Sequence, residues 1–226
     1  MPTIWIIFGV LMLLSFALSR SLQNKFKRYA KMPTEGGLTG RDVAEKMLHD
    51  HGIYDVKITC VKGRLTDHYN PADQTVNLSE DVYYGNGISA AAVAAHECGH
   101  AVQHAVAYPW IKLRSALVPP VEFASRWVQW VLLAGILLVE VFPDLLLFGI
   151  ILFGITTLFS FVTLPVEIDA SRRALAWLQG AGVASAQTYP AARDALRTAA
   201  YTYVVAAISS LATLLYYIMI FVGRRD

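Results

Sequence analysis

Four stretches of this chain, at 4–18, 127–142, 145–164 and 201–222, are almost uniformly apolar, and Glu140 is the one Asp, Glu, Lys or Arg among them. A hydrocarbon core about 30 Å thick is crossed by about 20 apolar residues, within a range of about 17–25. The last two stretches meet that length, and the first two meet it with tilt or local thinning of the bilayer. Inside lipid every backbone polar group must be satisfied within its own segment, so each stretch is expected to be helical. Composition agrees, with 55% hydrophobic residues, 16% charged residues and a mean hydropathy of +0.44. The expected class is a mainly α, multi-pass membrane helical protein of the cell membrane, with all 226 residues in a single domain.

Charge gives the orientation. A secretory signal carries positive charge ahead of its apolar stretch. Met1-Pro2-Thr3 has none, whereas Arg20, Lys25, Lys27, Arg28 and Lys31 follow. The small-x-small sequence Ala17-Leu18-Ser19 is therefore read as part of an anchor, with the N-terminus outside and residues from about 20 to 125 in the cytoplasm. Pro143-Asp144 between the second and third stretches carries no cation, while Arg172, Arg173, Arg193 and Arg197 follow the third. Both fit the positive-inside rule. Arg224 and Arg225 do not fit a fourth full crossing. A net charge of +2 gives no reason to expect nucleic acid, and the basic cluster after the first stretch suits anionic lipid. Cys60 and Cys98 fall on the reducing side, so no disulfide is expected.

The chemistry is concentrated in His96-Glu97-Cys98-Gly99-His100, an H-E-x-x-H motif within a run from Ile88 to His104 that reads as helix. At about 100° per residue the two histidines lie about 40° apart on one face, one turn apart, so both imidazoles can reach one metal ion. Glu97 stands beside them, where a carboxylate can take a proton from water activated by that metal. The Ala, Val and Gly flanks mark a buried helix, and two His and a Glu buried together need a polar partner or a metal. Cys98 points about 200° away from His96 and is expected to pack in the core.

A catalytic zinc takes three protein ligands and keeps one position open. His104 lies eight residues beyond His96 on nearly the same face. Ligands spread over three turns of a straight helix would span about 12 Å, too far for bonds of about 2 Å, which leaves His104 as a bystander or a hydrogen-bonding neighbour of the ligands. Glu167, just after the third apolar stretch, is the better candidate, because the hairpin of 127–164 returns it to the cytoplasmic side. Ser171, one turn further on, faces the same way and could hydrogen-bond a ligating histidine. Asp169 precedes Arg172 and Arg173 by three and four residues and is expected to pair with them on the helix surface.

The intervening part, about 32–115, is expected to form a small cytoplasmic α+β subdomain, zincin-like, with a short β-hairpin or sheet. Thr39 is a candidate N-cap, Asp42 suits the first turn and Gly52 ends the helix. Strands are expected at 56–61, 65–69 and 75–78, the last two joined by a turn at Asn70-Pro71-Ala72-Asp73. A sheet edge beside the histidine helix could hold a peptide in extended form. About 85 cytoplasmic residues are marginal for an independent core, so packing against membrane-proximal helices is expected.

Four segments, GLTG at 37–40, LTDHYNP at 65–71, VAAHECGHAVQ at 93–103 and LPVEIDASRRA at 164–174, carry a resemblance that covers almost the whole chain. The chain resembles the YugP-type neutral zinc metallopeptidases of bacterial membranes, a family related in layout to HtpX-like and CAAX prenyl proteases. The resemblance implies a gluzincin-like site with one zinc ion per chain on His96, His100 and Glu167, and Glu97 as catalytic carboxylate. The HtpX-like group has E-x-x-A-D where this chain has Glu167, Ala170 and Ser171, so the acidic partner of a ligating histidine is replaced. His68 or Tyr69 is a candidate for stabilising the oxyanion, against a simple role in the turn before Pro71.

The reading is a zinc-dependent endopeptidase at the cytoplasmic membrane surface, acting on a peptide or protein substrate associated with the membrane. An oligomer or a regulatory membrane partner is compatible with it. The alternatives are a non-proteolytic zinc membrane adaptor or assembly protein, and a prenyl-peptide protease. The first gives no reason for an intact Glu97, and the second needs a lipid-sized chamber that four short spans scarcely enclose.

Overall fold

A computed structural model describes residues 2–223. Among them three helices are long and apolar enough to cross a membrane: Trp5–Tyr29 within α1 (Pro2–Tyr29), α6 (Pro143–Gly180) and α7 (Tyr189–Gly223). The expected first, third and fourth spans lie inside these. The second differs. Helix α5 (Pro109–Leu137) begins far upstream of residue 127, includes Glu122 and Arg126, and ends five residues short of Phe142. Two charges dilute its apolar run, and it is not one of the three candidates. Pro143 opens α6, since a ring that lacks an N–H suits only the first turn of a helix, and Asp144 adds a favourable charge there. Met1 and the Arg224–Arg225 pair lie outside the described residues.

The chain divides into two compact units. One comprises Met1–Ala17, Lys112–Leu164 and Thr202–Asp226. Its buried cluster is Leu132, Leu146 and Ile150, with Val128, Phe153, Leu214 and Tyr217 against it. A Cβ on Gly135 would come within 2.6 Å of Leu146 Cα, and one on Gly149 within 2.8 Å of a Leu132 methyl. These pairings run in opposite directions along α5 and α6, so the two helices form an antiparallel hairpin in close contact. Thr157 and Ser210 hydroxyls meet at 2.7 Å and join α6 to α7.

The other unit comprises Leu18–Ile111 and Pro165–Tyr201. Here the sheet has the order β1-β3-β2, with β1 (Lys57–Val61) parallel to β3 (Thr75–Ser79) and β2 (His68–Asn70) antiparallel to it. The β2–β3 hairpin agrees with the sequence expectation. Alternation along β3 buries Val76 and Leu78 against Val43, Met47 and Leu48 of α2 (Gly40–Asp50) and the alanines of α4 (Ile88–Ala105), with the short α3 (Glu80–Tyr83) between β3 and α4 in the chain. Thr39 and Asp42 cap α2 reciprocally: the threonine hydroxyl accepts from the Asp42 N–H, and the carboxylate accepts from the Thr39 N–H. Gly52 follows α2 with a φ of 71°. The core is not closed by 32–115 alone. Ala174 and Leu178 of α6, Val183, and Ala192 and Leu196 of α7 complete it.

Candidate metal centre

Helix α4 is rich in small side chains, and Ala91, Ala92, Ala94 and Ala95 are fully buried. Small residues allow close neighbours on every side. On one side Cys98 places its Sγ 3.6 Å from the Ala44 carbonyl of α2, and burial, followed by the charge of Glu97, pushes its thiol well above the ordinary range. Cys98 is thus a packing residue, as its angle on the helix predicts. On the other side a Cβ at Gly99 would lie 2.7 Å from the Ala170 carbonyl oxygen, so α4 and α6 meet backbone to backbone one turn from Glu167.

That approach gathers His96, His100 and Glu167. The Nε2 of His96 is 3.2 Å from Oε2 of Glu167, and the Nε2 of His100 is 3.7 Å from the same oxygen. Ligand atoms of the three all lie within 4.8 Å of one another, and the two rings meet edge to face at 4.8 Å. Glu167 and His100 are buried, while His96 retains partial exposure. Two imidazole nitrogens and one carboxylate oxygen converging on one point are a donor set that fits zinc and leaves its fourth position to a reactant. These residues could hold a metal ion.

Glu97 is buried beside the cluster, and its Oε2 accepts the Tyr69 N–H of β2 at 3.1 Å. Burial pushes its carboxyl up to about 7; His96 pulls it down, the negative charges of Glu167 and Asp67 push it up further, and the Tyr69 N–H pulls it down again. Among the described residues β2 pairs only with β3, so the backbone group that holds Glu97 belongs to a sheet edge.

The imidazoles are held from behind. Ser171 Oγ lies 3.1 Å from Nδ1 of His96, the contact that its place one turn beyond Glu167 predicts. His100 is held by a residue that sequence reasoning passed over: Gln103 Oε1 lies 3.1 Å from its Nδ1. Gln103 is fully buried, and its Nε2 donates to the Val166 carbonyl at 2.8 Å and to Asp169 Oδ2 at 3.0 Å. Asp169 pairs with Arg173 at 2.6 Å and Arg172 at 3.6 Å as expected, but it is buried and not on the helix surface, and its Oδ2 also accepts from Gln103. The available signal was spacing, because Gln103 follows His100 by three residues on a buried helix face.

The remaining candidates are not members of the His96, His100 and Glu167 group. His68 is exposed; its Nδ1 donates to the Thr66 carbonyl at 2.7 Å, and its Nε2 accepts from Asn77 Nδ2 at 3.3 Å. Asp67 accepts from the Ser79 N–H at 2.7 Å and from its hydroxyl at 3.1 Å, which braces the end of β3. The Tyr69 ring packs at 5.7 Å on that of His104, so its backbone rather than its phenol meets the cluster's neighbour Glu97.

The profile of a protein family described as "Putative neutral zinc metallopeptidase" matches residues 4–222. The chain is 42% identical over 213 residues to a protein of Bacillus subtilis (strain 168) named "Putative membrane protease YugP", and the overlap covers 94% of each. No solved structure matches it.

Proposed function

The chain belongs to this family of zinc metallopeptidases, and we propose that it is a membrane endopeptidase that hydrolyses peptide bonds at the cytoplasmic membrane surface with one zinc ion per chain. The observation that carries the reading is the convergence of His96, His100 and Glu167 with Glu97 buried alongside. Zinc bound there supplies a Lewis acid for the scissile carbonyl and makes water acidic enough to ionise near neutral pH. Glu97 takes the proton of the attacking water and hands it to the leaving amine, while the Tyr69 N–H keeps the carboxylate aimed. The edge of β2 offers backbone groups to an extended peptide, binding it without regard to side chain. Ser171 and Gln103 orient the imidazoles.

The cytoplasmic address is supported by Arg20, Lys25, Lys27, Arg28 and Lys31 before the site and by Arg172, Arg173, Arg193 and Arg197 after the α5–α6 hairpin. The substrate is then a peptide or protein segment lying at the membrane. Replacing Glu97 by Gln tests the reading. The variant purified in detergent should retain zinc and lose casein hydrolysis; hydrolysis at the wild-type rate would remove Glu97 from the chemistry, and casein left intact by the zinc-loaded wild type would remove the endopeptidase reading.

A further inference from the structure

We infer that Gln103, braced by Asp169, is a positioning residue that fixes the tautomer of His100 and so presents its Nε2 lone pair to the metal. The inference rests on the zinc reading above and names how the chain presets one ligand and not the other.

The amide has a donor end and an acceptor end, and its surroundings decide which is which. One terminal atom lies 2.8 Å from the Val166 carbonyl and 3.0 Å from Asp169 Oδ2, both acceptors. That atom must be the NH2 group, since an oxygen there would face two acceptors in a fully buried place. The other terminal atom, 3.1 Å from Nδ1 of His100, is therefore the carbonyl oxygen. An amide oxygen can only accept, so Nδ1 carries the proton and Nε2 is left with its lone pair. This lone pair faces Glu167 Oε2 at 3.7 Å. Two electron-rich atoms so close in a buried setting are reconciled by a cation.

Asp169 makes the arrangement rigid. Its Oδ2 accepts from Gln103 at 3.0 Å and from Nε of Arg173 at 2.6 Å, so the carboxylate that would directly hold a histidine elsewhere acts here through an amide. Because Val166 precedes Glu167, the same amide ties α4 to the turn of α6 that carries the third ligand. His96 is held differently. The Ser171 hydroxyl, 3.1 Å from its Nδ1, rotates to donate or accept and imposes no tautomer. One ligand is preset and its neighbour adapts.

The test uses the full chain in detergent. Nitrogen-15 spectra of labelled histidine in the metal-free protein at about pH 8, above the ordinary histidine range, report the tautomer of His100, assigned by its loss in a His100→Gln variant. Zinc affinity is measured by competition with a chromogenic chelator. Wild type should show the Nδ1–H form. Gln103→Met, similar in size but apolar, should populate the Nε2–H form and lose about 10–100-fold in zinc affinity. Gln103→Glu keeps an acceptor for Nδ1–H and should hold the tautomer and recover most of that loss. A role confined to bracing the two helices predicts the reverse order, because a carboxylate would face Val166 and Asp169 without donors. An Nε2–H His100 in wild type, or a Gln103→Met variant with wild-type affinity, overturns the relay. Since the spectra are recorded without metal, a wild-type protein that binds no zinc sinks the proposed function separately from the tautomer assignment.

Discussion

Gly99→Ala probes the contact on which the centre depends. The added methyl would sit 2.7 Å from the Ala170 carbonyl oxygen and 3.2 Å from its carbonyl carbon and Cα, all backbone atoms that no rotamer change can move. Ordinary contact begins at about 3.4 Å, so α6 must retreat by about 0.7 Å at this turn, and overpacking of this kind costs about 1–3 kcal/mol. Alanine is also the better helix former by about 1 kcal/mol, which offsets part of the loss in overall stability. Zinc affinity separates the two effects, because helix propensity is the same in the free and bound protein. Glu167 lies one turn from Ala170, and ligand distances tolerate deviations of only about 0.2 Å. Re-forming the site therefore has to push α6 back against the methyl. Affinity should fall about 5–150-fold, the equivalent of about 1–3 kcal/mol at tenfold per 1.4 kcal/mol. Chelator competition on the detergent-purified variant measures it. Wild-type affinity with an unchanged thermal midpoint would show that the backbone contact does not set the ligand geometry.

Two further predictions concern parts remote from the ligands. Cys60 is exposed on β1 whereas Cys98 is buried with its thiol pushed up, so a membrane-impermeant maleimide should label one cysteine per chain in inverted vesicles and none in intact cells. Labelling of Cys60 from outside would reverse the orientation. At the start of α2, hydrogen bonds from the Thr39 hydroxyl and then the Thr39 N–H hold the Asp42 carboxyl below the ordinary aspartate range. A carboxyl lowered by folding contributes stability that is complete above its unfolded value and lost as pH falls through its folded one. Thr39→Ala should cost about 0.5–2 kcal/mol at neutral pH and flatten the loss of thermal midpoint on acidification through pH 4, read by circular dichroism. An equal midpoint for both proteins at pH 7 would remove the cap from the account.

The helices, the hairpin and the two gathered histidines are legible because each rests on a local pattern: apolar length, alternation across a turn, and a four-residue spacing on one face. Glu167 needed one non-local step, the return of α6 along α5, which the Leu132–Gly149 and Gly135–Leu146 contacts make visible. Where a pattern is diluted, its bounds are less legible. In 127–142 the helix stops at Leu137, and Glu122 and Arg126 earlier in the same helix keep α5 out of the three candidates by length and composition. Gln103 went unseen for another reason. A neutral amide bears no charge and no metal-ligand chemistry of its own, and its value comes from Val166 and Asp169, more than 60 residues away in sequence.

Ligand geometry and core closure turn out to be one problem. About 85 residues of α+β structure are marginal for an independent core, and α6 adds Ala174 and Leu178 to it. Two turns earlier the same helix carries Glu167, and between them stand Ala170 against Gly99 and Ser171 against His96. Folding the core therefore brings the carboxylate to the histidines without any separate device, and α6 cannot withdraw without exposing Leu178. The sheet contributes in a parallel way: burying Val76 and Leu78 fixes β3, its pairing fixes β2, and the Tyr69 N–H arrives at Glu97. An apolar substitution such as Leu178→Ala then acts on the metal centre through position alone, and its effect on zinc affinity should track its effect on stability.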